Sequence, residues 1–278
     1  MNSSSSNPYI TMEDMSKKDI KIYAFIASHI SASKRLENFM DTLSSIYRQT
    51  ILPIELHVAL SYTTDEEKDL EDKIKKLNHP VLRLHLENKK LSQFENYQRL
   101  SNIDNIRDDD WVMFSDDDDI WHPSRVHEYA NCIGVFHDQP NVSSVSGYHC
   151  IHLFNTEGYI TKLKINDKDS TPEDVDKIAA QNKLKMTMSP EGKGDYVIYC
   201  VRYRLFKDFF KMLPYTHVNL KHHQCDMLFS DFVRTYKHDQ GYMNININQS
   251  TTGGCWMYYY RDWGTNYIVT WETVSQSR

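Results

Sequence analysis

The segment Trp111-Val112-Met113-Phe114-Ser115-Asp116-Asp117-Asp118-Asp119-Ile120-Trp121-His122-Pro123 passes from an apolar run into four consecutive carboxylates and back to Ile-Trp before a proline. A short apolar run bounded by charge reads as a buried strand that delivers its acids to the C-terminal edge of a sheet. In open α/β sheets that edge is where ligands bind. Adjacent aspartates repel one another, so a folded chain keeps them together where solvent screens them or a cation neutralises them. A solvated acidic loop is the plain reading of such a run. Here the acids sit directly on Trp, Val, Met and Phe with Ile-Trp behind them, which favours a cation site built from hard carboxylate oxygens.

Upstream, the pattern is strand and helix in alternation. Residues 1 to 18 are Ser/Asn-rich, then mixed charged, and read as a mobile leader. Order is expected to begin at Ile20-Lys21-Ile22-Tyr23-Ala24-Phe25-Ile26-Ala27-Ser28, a β-branched and aromatic stretch suited to a first strand. Leu36, Phe39, Met40, Leu43, Ile46 and Tyr47 then fall at helical spacing. Ile54 to Leu60 reads as a second strand, followed by a turn at Ser61-Tyr62-Thr63-Thr64-Asp65 and a charged helix through Leu70, Ile74 and Leu77. Asn78-His79-Pro80 stops that helix. Val81 to Leu86 alternates as a third strand, and Leu91, Phe94, Tyr97 and Leu100 share a helical face from which Gln93, Asn96 and Arg99 project differently. Strand-helix three times over, then the acidic strand, predicts an α/β fold with a central, mostly parallel sheet and helices on both faces.

Downstream, a helix is expected from Ser124 to Phe136, and a strand from Val142 to Phe154 with Gly147 as a bulge. The section from about 155 to 194 turns polar, with a capped helix start near Thr171-Pro172-Glu173-Asp174, and reads as an insertion or mobile loop. Tyr196 to Val201 is strand-like and Arg204 to Met212 helical. Leu220 to Phe232 contains a helix start with Asp226 near its N-terminal end, and Cys255 to Arg261 forms a late aromatic strand. Residues 273–278 are read as a frayed tail, and no internal repeat is present.

The whole-chain composition narrows the function classes. The 278 residues are 40% hydrophobic, 12% aromatic and 25% charged, which is the balance of a folded protein with one large domain or two small ones. A net charge of −6 argues against a protein whose first task is to grip bare nucleic acid. No apolar run reaches the length of a membrane span, and Met1-Asn2-Ser3-Ser4-Ser5-Ser6 has neither the basic start nor the apolar core of a signal peptide. The 5 cysteines (Cys132, Cys150, Cys200, Cys225, Cys255) are odd in number and form no CxxC pair. Reduced thiols in a soluble, cytoplasmic protein are therefore the expectation.

Taken together, the Ala27-Ser28 strand end, the helix that contains Arg35 and closes in Ser-Ile-Tyr-Arg-Gln-Thr, the second strand and Phe-Ser-Asp-Asp-Asp-Asp-Ile-Trp-His-Pro resemble the family 2 glycosyltransferases, which have the GT-A fold. The resemblance covers roughly residues 20 to 130 and thins afterwards. It implies one GT-A domain, with residues 19–123 as a nucleotide-sugar-binding half and 124–272 as an acceptor-binding half. The family's DxD motif maps to Asp116, Asp117 and Asp118, with Asp119 beside it. In the family the last acid of the motif holds manganese or magnesium, which bridges the two phosphates of the donor. Asp118 is therefore the expected direct metal ligand, while Asp116 is expected to meet the ribose or a metal-bound water. Ala27, Ser28, Arg35 and Asp117 complete the donor site that the resemblance implies.

The family's base, an acid at a helix start beyond the acceptor-binding strands, maps to Asp226. A carboxylate there takes the proton of an acceptor hydroxyl if it lies within hydrogen-bond reach, and a helix N-terminus favours its ionised form. An ordinary N-terminal helix acid is the competing reading. Where the second strand of the family ends in an acid pair that reads the nucleotide base, this chain has Leu60-Ser61-Tyr62. Tyr62 by stacking, or Gln93 and Asn96 from the helix before the acidic strand, are the substitutes. The implied partners are a UDP- or GDP-sugar and a glycan, protein-linked or small-molecule acceptor. His122, His223 and His222 are further candidates near the acids, and Trp256 with Tyr258, Tyr259 and Tyr260 for a sugar-stacking wall. Two rivals remain open. A sugar nucleotidyltransferase also uses acids and a cation, although Ala27-Ser28-His29-Ile30-Ser31 lacks the glycine-rich phosphate loop it would want. A non-catalytic carbohydrate-binding or scaffolding protein would keep the fold without turnover.

Overall fold

The fold was obtained as a computed structural model, which describes residues 11–30, 33–63, 72–73, 76–121, 123–136, 139–146, 152–153, 196–213, 218–221, 225–235, 243–246 and 258–261. Its elements are α1 (Met12–Lys17), β1 (Ile22–His29), α2 (Ser33–Ile46), β2 (Leu56–Ser61), β3 (Leu82–Glu87), α3 (Gln93–Arg99), β4 (Trp111–Ser115), β5 (Ile120–Trp121), α4 (Arg125–Val135), β6 (Val142–Ser146), β7 (His152–Leu153), β8 (Tyr199–Arg202), α5 (Tyr203–Met212), α6 (Cys225–Thr235), β9 (Met243–Asn246) and β10 (Tyr258–Arg261). Single 3-10 turns occupy Leu100–Asn102, Tyr196–Ile198 and Val218–Lys221.

The α/β class expected from the sequence is what the chain forms. A 7-stranded sheet runs β3-β2-β1-β4-β8-β6-β9, and a 3-stranded one runs β5-β10-β7. Within the larger sheet β3, β2, β1 and β4 pair in parallel, β8 is antiparallel to both β4 and β6, and β6 pairs in parallel with β9. Every residue of β1, β2 and β4 is buried, as expected of parallel strands covered on both faces. On one face Phe25 and Phe114 meet Phe206 of α5 at 5.4 and 5.5 Å between ring centroids, and Phe229 of α6 packs on Phe114 at 5.2 Å. Ring contacts of this kind, edge-on for Phe25–Phe206 and Phe114–Phe229, add to the area the rings bury.

Some expectations change. Part of the segment read as a leader is the helix α1, closed by a capping box between Thr11 and Asp14 and anchored by buried Met15. Tyr196 to Ile198 form a 3-10 turn and the strand starts at Tyr199. The strand from Val142 ends at Ser146, and Gly147 lies outside the described residues. So do the polar section from 154 to 195 and most of the charged helix expected after Asp65. No helix among the described residues is long and apolar enough to cross a membrane.

One buried polar cluster ties the first strands together. His57, on β2 and 2% exposed, faces Glu55 Oε2 through Nε2 at 3.0 Å and His85 Nε2 through Nδ1 at 3.0 Å. Burial, then the neighbouring His85, push its pKa down to about 4, against the attraction of Glu55. The unfolded chain, with a histidine pKa of about 6.5, takes up a proton that the folded chain refuses until about pH 4. This contribution is complete above pH 6.5 and is lost as pH falls toward 4, on the order of 3 kcal/mol. Urea unfolding between pH 7.5 and 4.5 should show that decline, and His57→Phe should make it markedly shallower. Equal slopes in the two proteins would contradict the assignment.

Candidate active site

The acid run forms the turn that leaves β4 at the C-terminal edge of the parallel strands and enters β5 of the second sheet. Its exit is pinned from several directions. Tyr97 donates to Ser115 O at 2.9 Å, Trp121 Nε1 donates to Ser115 Oγ at 2.7 Å, and Trp121 N donates to Ser45 Oγ at 3.0 Å. Arg125 lies beneath, fully buried, with its guanidinium 4.1 Å from the Trp121 ring centroid and donating to Phe114 O and Val197 O.

The turn sorts its carboxylates by burial. Asp117 and Asp119 are 2% and 1% exposed, whereas Asp116 and Asp118 are half-buried. Asp117 turns inward onto α2 and β1. Arg35 grips it with two bonds, Nε to Oδ2 at 2.6 Å and a terminal nitrogen to Oδ1 at 3.1 Å, while Ser28 Oγ donates to Oδ2 and Thr42 Oγ1 donates to Asp117 O at 3.0 Å. Burial alone would raise the Asp117 pKa, but the Arg35 charge and the bonds from Arg35 and Ser28 outweigh it and hold the group below the usual carboxylate range. Arg35, desolvated but facing Asp117 and then Asp118 and Asp116, has its own pKa raised.

Asp116 is held from the other side. Its Oδ1 accepts from Gln93 Nε2 at 2.5 Å and from Tyr196 OH at 2.5 Å. Asn96, fully buried on the same helix as Gln93, donates to Ser28 O and Ser61 Oγ at 3.0 and 2.9 Å, and its own oxygen accepts from Arg99. It bridges the ends of β1 and β2. Tyr62 is 5% exposed, its backbone N–H bonded to Glu87 O, and Ala27 is buried within β1. His29, the last residue of β1, has Nδ1 3.0 Å from Ser61 Oγ. The residues expected at the donor site thus converge on one sheet edge, several of them as its buried frame.

Asp226 lies in the first turn of α6, half-buried, with Oδ1 accepting from Met227 N at 2.7 Å. Phe229, three residues on and therefore on the same helical face, packs on Phe114, two residues before Asp116. The N-terminal turn of α6 is in this way carried toward the end of β4. His122, His222, His223 and Trp256 lie outside the described residues, and of Tyr258, Tyr259 and Tyr260 only the strand β10 is described. Sequence reasoning missed Tyr196 and Arg125, because a tyrosine in a strand-like run and an arginine at a helix start carry no local mark of their partners.

Among the described residues no group of three His, Cys, Asp or Glu side chains is placed to cage a metal. The half-buried pair Asp116 and Asp118 suits a different kind of cation site. Magnesium-like ions keep several waters and are held by one or two carboxylates together with substrate phosphates. The oxygen-only donor set and its place at a sheet edge fit such an ion.

An α/β protein with a carboxylate turn at the C-terminal edge of its parallel strands is the class that fold and site define. No protein-family model matches the sequence, and no curated protein matches it. Solved structures do. Staphylococcus aureus TarS 1–349 in complex with UDP-GlcNAc aligns over 90% of this chain at 12% identity and a TM-score of 0.48. The mannosyltransferase PcManGT from Pyrobaculum calidifontis, in complex with GDP-Man and Mn2+, aligns over 81% at 15% identity and a TM-score of 0.41. The chain covers 61% of the TarS 1–349 chain and 54% of PcManGT.

Proposed function

We propose that this protein is a GT-A type glycosyltransferase that moves a sugar from a nucleoside-diphosphate sugar to an acceptor hydroxyl with the help of a divalent cation. The observation that carries the reading is the division of labour in the acid turn. Asp117 is committed to Arg35 and Ser28, and its two neighbours Asp116 and Asp118 are left half-buried at the edge. Asp118, with Asp116 beside it, would hold manganese or magnesium. When bound, that ion offsets the negative charge that builds on the departing nucleoside diphosphate. The position of Asn96, Ser28 and Arg35 supports a framing role, in which they fix the turn from beneath the donor. Gln93 does the same for Asp116.

In this reading Asp226 is the base. The acceptor oxygen attacks the anomeric carbon, its proton passes to the Asp226 carboxylate, and the bond from the anomeric carbon to the diphosphate breaks, with inversion at that carbon. The packing of Phe229 on Phe114 supports the assignment, because it ties the Asp226 turn to the acidic strand. Asp226→Asn should lower turnover by about 10²- to 10⁴-fold and leave donor binding, read by thermal shift, unchanged. Unchanged turnover would reduce Asp226 to an ordinary helix acid.

The test of the reading as a whole is nucleoside-diphosphate release from UDP- and GDP-sugars with and without manganese. A transferase releases nucleoside diphosphate in a manganese-dependent way, a nucleotidyltransferase yields pyrophosphate, and a carbohydrate-binding protein releases neither.

A further inference from the structure

Tyr196 lies far along the chain from the acid turn, outside the segment of resemblance, yet its phenol reaches Asp116. Tyr97 gives its proton to Ser115 O at 2.9 Å, so it has none for Tyr196, 3.3 Å away. A phenol carries its proton at neutral pH, and the Tyr196 hydroxyl donates to Asp116 Oδ1. Gln93 uses its two N–H groups on Asp116 Oδ1 and on the Tyr196 oxygen, at 2.5 and 2.9 Å. Two donors therefore converge on one carboxylate oxygen, and they brace each other. The Tyr196 ring cannot drift, because it is wedged among Phe94, Tyr97 and Phe114 at 5.5, 5.6 and 5.9 Å between centroids.

We propose that Tyr196 is a positioning residue of the acid turn, which with Gln93 fixes the Asp116 carboxylate in the one orientation that lets the Asp116–Asp118 pair take a divalent cation with a diphosphate. The inference rests on the transferase reading, and deepens it by making cation affinity depend on the second half of the chain. A carboxylate held by two donors arrives at the ion already oriented, whereas one held by Gln93 alone must be ordered on binding. Partners of this kind that orient a metal-binding carboxylate typically contribute 10- to 100-fold in metal affinity.

The test is the manganese concentration at half-saturation, followed by manganese EPR in the presence of UDP or GDP, in wild type, Tyr196→Phe and Tyr203→Phe. Tyr196→Phe keeps the wedged ring and removes only the hydroxyl, and should raise the half-saturating manganese concentration about tenfold or more. Tyr203→Phe is the control. It also loses a buried hydroxyl, which donates to Leu100 O at 2.8 Å, but it lies away from the acids and should leave half-saturation at the wild-type value. Gln93→Leu, as a second variant, should weaken manganese in the same direction, and the double variant should fall short of the product of the two single effects because they act on one oxygen. Equal half-saturation in Tyr196→Phe and wild type overturns the positioning role and leaves the transferase reading standing. A similar loss in Tyr203→Phe overturns it too, by showing a general effect of loosening. A wild-type protein that takes up no manganese with either nucleotide overturns both.

Discussion

Asp118→Ala is expected to reduce nucleoside-diphosphate release by about a thousandfold, the scale on which enzymes lose rate when one charge-stabilising contact is removed. Asp118 is half-buried at the turn, whereas its neighbours Asp117 and Asp119 are 2% and 1% exposed. Ligand binding is read against each protein's own ligand-free melting temperature. The ligand-bound state is different. A donor at 100 times its Kd stabilises the fold by about 2.7 kcal/mol, or several degrees in a chain of this size. That manganese-dependent shift should be present in wild type and absent in Asp118→Ala. A variant that keeps the full shift would remove Asp118 from the cation site.

The second large effect is on stability. Arg35→Met strands the Asp117 carboxylate in a site where its side chain is 3% exposed, without the guanidinium that neutralises it. Breaking a buried pair from one side typically costs about 3–5 kcal/mol, since the remaining charge stays desolvated. A melting temperature lower by about 10 °C follows at pH 7. The effect should shrink in acid. The folded Asp117 pKa lies below the usual value of 3.8, so the pair contributes its full stability above that pH and loses it as pH falls through the folded pKa. Arg35→Met with Asp117→Leu should recover much of the loss, because an apolar pair of similar volume leaves no stranded charge. A drop of less than about 2 °C in Arg35→Met would mean that Ser28 and the backbone suffice to hold the carboxylate.

These two residues show how much of the site is legible in the sequence. Strand, helix and acidic strand are legible because period and composition agree: β1, β2 and β4 are mostly apolar, and α2 repeats its apolar residues every three to four positions. The place of the acids at the sheet edge follows from the same pattern. Which acid faces inward does not, since four identical side chains differ only in the path of the turn. That path is set by distant partners: Arg35 and Thr42 on α2, Gln93 on α3, and Tyr196. Asn96 illustrates the converse. A polar residue off the apolar face suggests a ligand contact, yet its amide joins two strand ends inside the protein. Two further elements escape for local reasons. The edge strand β9, Met-Asn-Ile-Asn, is too polar and short to stand out, and α1 is a single capped turn and a half in a charged stretch.

The central claim is that Asp118 holds a cation against a diphosphate at the end of β4. The most direct test is a crystal grown with manganese and UDP or GDP and measured at the manganese absorption edge. The account predicts an anomalous peak within bonding distance of an Asp118 carboxylate oxygen and of both phosphates. A nucleotide bound at this edge with no metal beside Asp118, or a metal held elsewhere on the protein, would contradict it.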